Sequence, residues 1–133
     1  MMKKLSRLDS AYEAAMQMAA QFTDQGDHAA AFSLLERAHV LGQSALGRHL
    51  RVHVQMLRTG VAQGDRREVV GQLWRLFLTP FGHLFGRLPI GNTGRANISA
   101  FQSLPIDAEL QVLLDEAAGP NQTHRSTPSN TSH

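Results

Sequence analysis

Gln25-Gly26-Asp27 and Gln63-Gly64-Asp65 are the same tripeptide met twice, 38 residues apart. Each stands between two segments with helical spacing of apolar residues. Glycine suits the position just past a helix end, and aspartate suits the cap of the next helix. Each copy therefore reads as the turn of a helical hairpin. Ahead of the first turn, Leu8, Tyr12, Ala15, Ala19 and Phe22 recur at steps of four and three, which predicts a helix over 8–22. Behind it, Ala31, Phe32, Leu35, Ala38, His39 and Gly42 share one face of a segment over 28–41, with Ser33 and Arg37 opposite.

The second copy has the same setting. Leu46, Leu50, His53 and Leu57 form a stripe over 45–61, flanked by His49 and Met56, with Arg48, Arg51, Gln55 and Arg58 on the far side. Beyond the turn, Val69, Val70, Leu73, Trp74 and Phe77 are expected to make the buried face of a helix over 65–78, which Pro80 should stop. The pattern predicts an all-α fold: two antiparallel TPR-like helical hairpins, four main helices in all. TPR repeats have a period of about 34 residues, and two copies are too few for a long array.

Past Pro80 the composition changes. Residues 79–106 are rich in Gly, Pro and Asn yet carry Phe81, Leu84, Phe85, Leu88, Ile90, Ile98, Phe101, Leu104 and Ile106. A polar linker would lack these anchors, so an ordered loop pinned onto the bundle is expected. Asp107 should cap a short helix over 107–118. The Ser, Thr, Asn and Pro of 119–133 have little to bury and predict a disordered tail. The expected organisation is one helical domain over 1–118 followed by that tail.

Composition narrows the function. The chain has 133 residues and a formal charge of +2, and its arginines are scattered rather than gathered in a stripe. No nucleic-acid partner is expected. There is no cysteine, so thiolate metal sites are excluded. Asp9 and Glu13 interrupt the apolar run that a signal peptide would need after Lys3-Lys4, and no stretch reaches the length of a membrane span. The expectation is a cytoplasmic, bacterial-type protein with no membrane partner.

The chemistry-bearing residues are histidines. His49 and His53 are four apart, on one helix face, where two imidazoles can reach one ion. His39 ends the preceding helix, and a short connection should bring it to the same end of the structure as His49. Glu36 stands one turn before His39. Glu36, His39, His49 and His53 are thus the candidate metal ligands. Nitrogen and oxygen donors suit a divalent transition metal such as Zn, Ni, Cu or Co. His83 is a weaker candidate, because Gly82 beside it points to a surface turn. The structural alternative is that each histidine is a neutral, hydrogen-bonded core residue. Leu50 stands where the zinc-protease pattern HExxH needs its glutamate.

Gly91, Asn92, Thr93, Gly94, Arg95 and Asn97 form a second candidate, an anion- or ligand-binding loop with a backbone nest. It lacks the spacing of a P-loop or a dinucleotide site. Its alternative is a pair of tight turns, with Arg87 and Arg95 tying the loop to carboxylates such as Glu36 or Glu68.

Leu35 to Gln43 (LERAHVLGQ), His49 to His53 (HLRVH), Arg67 to Leu73 (REVVGQL) and Leu88 to Phe101 (LPIGNTGRANISAF) together resemble a bacterial family, domain-of-unknown-function family 3703. The resemblance covers roughly residues 11–114. It implies a small helical protein and brings no activity, cofactor or catalytic residue. It includes His39, His49, His53 and the glycine loop among its signature strings.

Two functions from different classes follow. One is a metal-binding protein using the histidine cluster. The other is a TPR-like interaction module without metal or catalysis, in which Arg48, Arg51 and Arg58 would face an acidic protein partner. No catalytic triad, paired carboxylates or cofactor fingerprint is present in the sequence, so an enzyme is not expected.

Overall fold

The computed structural model describes residues 5–86, 94–95 and 106–119. The expected tail, apart from Gly119, lies outside these residues, as does most of the expected loop. Five helices make up the described fold: α1 (Arg7–Asp24), α2 (His28–Gly42), α3 (Leu46–Gln63), α4 (Arg66–Phe85) and α5 (Ala108–Ala118). No strand occurs among the described residues, and no helix is long and apolar enough to cross a membrane.

The twin turns are built alike, bond for bond. The amide of Gly26 donates to the Thr23 carbonyl at 3.1 Å, and that of Asp27 to Phe22 at 2.9 Å. In the second copy Gly64 donates to Val61 at 3.1 Å, and Asp65 to Gly60 at 3.0 Å. These paired bonds satisfy carbonyls that a helix end leaves open. Gly26 and Gly64 sit at φ +80° and +76°, a region costly for residues with a Cβ. Asp27 and Asp65 then cap α2 and α4, accepting from the Ala30 and Glu68 amides, both at 3.1 Å.

The helices run alternately up and down. Tyr12, early in α1, lies against Gly42 at the end of α2. His49, early in α3, meets His83 at the end of α4. The main apolar core lies between α1 and α2. Tyr12, Ala15, Ala19, Phe32, Leu35, Ala38 and Leu41 are all buried there, and α3 adds Val52 and Met56. Each large side chain so buried contributes about 1.5–3 kcal/mol. α5 closes the outer side of this hairpin with Leu110 and Leu113, and the ion pairs Arg7–Glu116 and Arg37–Glu109 edge that contact.

Three expectations are corrected. First, Pro80 does not stop α4, which continues to Phe85. The loop therefore begins later than residue 79. Pro80 is exposed, and on that open side water can replace the N–H that proline lacks. Second, α3 is turned from its expected orientation. It buries His49, Val52, His53, Met56, Thr59 and Gly60, while Leu46 is exposed. Arg48 and Arg51 are drawn to α1, where they pair with Asp9 and Glu13 beside the Tyr12 ring. They are not an open basic stripe.

The third correction is the largest. α4 buries Glu68, Gln72, Arg75 and Thr79, whereas Val70, Leu73, Trp74 and Phe77 are exposed. Its apolar periodicity was real, but the stripe faces outward. The side packed on α3 is polar because that is where α4 meets the histidines. Asp107 occupies the cap position of α5 but makes no side-chain capping bond.

Candidate metal centre

His39, His49 and His53 converge where the last turns of α2 meet the first turns of α3. The imidazole Nε2 of His39 lies 2.9 Å from that of His49 and 3.2 Å from that of His53. The short Gln43–Ser44–Ala45 connection makes this possible, as it keeps the end of α2 beside the start of α3. All three rings are buried, at 2%, 5% and 1% exposure respectively. One ligand atom from each lies within 4.8 Å of the others, and these three residues form the metal-compatible group among the described residues. An ion with bonds of about 2.0–2.1 Å in tetrahedral array spaces its nitrogens roughly 3.3 Å apart, close to the two distances from His39.

A polar network on α4 fixes the rings. The Gln72 amide nitrogen donates to Glu68 Oε1 at 2.9 Å and to the Gly94 carbonyl at 2.8 Å. Both partners are acceptors, so the amide has one consistent orientation. Its oxygen then faces His53 Nδ1 at 2.7 Å, and that nitrogen must carry the proton. Neutral His53 consequently presents the lone pair of Nε2 to the cluster. This is the outer hydrogen bond that orients metal-binding histidines. On the other side, His49 Nδ1 lies 3.0 Å from His83 Nε2. With the proton on His49 Nδ1, the Nε2 of His49 also offers a lone pair. A single N–H on His39 can serve both neighbours; with that proton on Nδ1 instead, Nε2 of His39 also presents a lone pair.

Burial keeps His49 and His53 neutral. Burial pushes His49 down to about 3, helped by the neighbouring His53 and His83. Burial likewise lowers His53 to about 4, and the bond from Gln72 opposes this while the Arg75 charge adds to it. Neutral imidazole is the form that binds metal. Burial also lowers Arg75, against the pull of Glu68.

Glu36 does not join the histidines. Its carboxylate pairs with Arg95 at 3.3 Å, and its pKa is raised by burial against that attraction. Arg95 also meets Glu68 at 3.1 Å and stacks on the Phe32 ring at 3.8 Å. The expected tie between Arg95 and Glu36 or Glu68 is thus formed to both. Gly94 and Arg95 form a strap over the cluster, and Arg75 holds it from the other side, donating to the Arg95 carbonyl at 2.6 Å. Gly94 sits at φ +79°, and a Cβ there would stand 2.6 Å from His39 Cδ2. Only glycine lets the strap lie on that ring. Gly91, Asn92, Thr93 and Asn97 lie outside the described residues.

His83 is not on a surface turn. Because α4 runs through Pro80, His83 occupies its last turn, half-buried, with its ring against His49. Sequence reasoning missed Gln72 and Arg75 altogether. Their signal was the polar series Glu68, Gln72, Arg75, Thr79, spaced by four and three within an otherwise apolar helix.

Fold and site together define an all-α protein of paired helices with a three-histidine cluster at its interior. The chain belongs to the DUF3703 family of proteins of unknown function, whose sequence pattern it matches over residues 6–114. No curated protein and no solved structure matches it.

Proposed function

We propose that this protein binds a divalent transition metal ion through the Nε2 atoms of His39, His49 and His53. Zn, Ni, Cu and Co fit the all-nitrogen donor set. The observation that carries the reading is the convergence of three buried imidazoles, two of which, His53 and His49, have their outer nitrogens held by Gln72 and His83. Three protein ligands leave a fourth position to water or an incoming ligand, as in catalytic zinc sites. Glu36 is better placed as a partner of Arg95 than as a ligand. The setting in this reading is the bacterial cytoplasm, on a TPR-like scaffold.

Elemental analysis of purified, untagged protein tests it. Close to one equivalent of metal is expected, with His49→Gln and His53→Gln variants losing it. Added Zn²⁺, Ni²⁺ or Cu²⁺ should stabilise metal-free protein by mass action, by about 2.7 kcal/mol at a hundredfold excess over Kd, read as a higher melting temperature. Less than about a tenth of an equivalent, with no thermal response to any of these ions, would falsify the proposal. That result would favour the competing reading, a TPR-like interaction module without metal or catalysis. The exposed apolar face of α4 supports that second reading.

A further inference from the structure

The outward face of α4 does not contribute to the histidine cluster. Val70, Leu73, Trp74, Phe77, Phe81 and Leu84 lie along it, and Trp74 and Phe77 are 60% and 61% exposed. Val70, Leu73, Trp74 and Phe77 line a shallow groove. Trp74 meets Phe77 edge-on at 6.1 Å, and Phe77 meets Phe81 at 5.5 Å, so the rings form one ladder. Isolated apolar residues on a surface are ordinary, but a continuous aromatic stripe marks an interaction site.

We infer that this face is the interface of a homodimer, in which α4 packs against α4 of a second copy of the chain. Four observations select that occupant. Val70, Phe77 and Leu84 are spaced by seven, with Leu73 or Trp74 and Phe81 between them, the period by which two like helices mesh. The stripe contains no charged residue, so two copies can meet without like-charge repulsion and a charged partner is not called for. The stripe's side chains are largely uncovered, with Trp74 at 60%, Phe77 at 61% and Leu84 at 74% exposure, as a face awaiting a like partner would leave them. Finally, the two sides of the helix pair differ. α5 covers the outer side of the α1–α2 hairpin, whereas no described element packs on the outer side of α4. Stacked helical hairpins need both ends of the stack closed, and a two-fold axis beside α4 closes the open one. A membrane surface is less favoured, since in-plane helices carry basic residues along the polar face. α4 turns Glu68, Gln72 and Arg75 inward and carries Arg66 and Arg67 only at its start.

Sedimentation equilibrium of the full chain across the micromolar range tests this. The expected mass is twice the 14.6 kDa of one chain. Phe77→Glu and Leu73→Glu should each sediment as monomers while retaining wild-type helicity and metal content. Trp74 is the single tryptophan, and its emission should move to longer wavelength as the wild-type protein is diluted. A monomeric wild-type mass across that range overturns the inference. So does a dimer that survives both substitutions, or a monomer that floats with phosphatidylglycerol vesicles through Trp74. The histidine cluster lies on the opposite side of α4, so metal binding stands or falls separately.

Discussion

The two hairpins share a turn and differ in what they bury. Between α1 and α2 the interior is Tyr12, Phe32, Leu35, Leu41 and alanines. Between α3 and α4 it includes His49, His53, Glu68, Gln72, Arg75 and Thr79. The capping bonds of the turns agree to within a tenth of an ångström, so local structure does not cause the difference. Turn chemistry sets where helices end and begin, and leaves the faces free. The first hairpin uses its interior for stability. The second fills its interior with hydrogen-bonded polar groups, which are costly unless every partner is satisfied.

Substitutions should separate the two interiors. Phe32→Ala, in the apolar hairpin, should cost about 3–5 kcal/mol in urea unfolding. It also removes the platform under Arg95, so a loss of under ~1 kcal/mol would mean that the apolar core is not the main support. Gly94→Ala should cost about 2–4 kcal/mol, combining the left-handed backbone with overpacking on His39. It should also lower metal content. If metal content and melting temperature both stay at wild type, the strap does not seal the cluster.

Acid should strike the polar hairpin selectively. His49 and His53 sit near 3 and 4 when folded, below the ordinary 6.5. The unfolded chain therefore takes up more protons between about pH 6.5 and 4, and stability is lost as pH falls through that window. Metal-free protein should lose about 2 kcal/mol per ring between pH 7 and 5, about 4 kcal/mol for the two, read as a fall in melting temperature of roughly 10 °C or more. A flat profile would mean that the rings are not held neutral by burial. Gln72→Leu should cost about 1–3 kcal/mol by stranding the N–H of His53 Nδ1. It should also weaken metal binding about 10–100-fold. Unchanged affinity would reduce the network to a structural role. The smallest effect is expected from Glu36→Gln, under about 1 kcal/mol for a part-exposed pair, with the metal equivalent intact. Loss of metal in that variant would restore Glu36 as a ligand.

Much of this was legible in the chain. Gly26 and Asp27, and their twins Gly64 and Asp65, carry their own backbone reasons, and the structure uses each as expected. The faces of α1 and α2 were readable because an apolar period marks the inside when the helix packs on one main core. The meeting of His39, His49 and His53 followed from a short connection and a spacing of four. α4 was misread for a physical reason. A period of 3.6 locates a stripe but does not say whether the chain itself or another surface covers it. The inward series Glu68, Gln72, Arg75 and Thr79 has the same period and lies on the opposite side. Pro80 misled because a missing donor is costly only where nothing else can replace it.

The strap has a consequence for the order in which the protein assembles. Helix pairs joined by turns of two or three residues gain their contacts from near neighbours, and such local topology folds fast. The bond from Arg95 to Glu36 spans 59 positions, so it forms only after a much larger loop has closed. Both hairpins should therefore be in place before Gly94 settles on His39. During that interval the three imidazoles are already near one another and still open to water, which gives a cation a window to enter before the chain finishes folding over it.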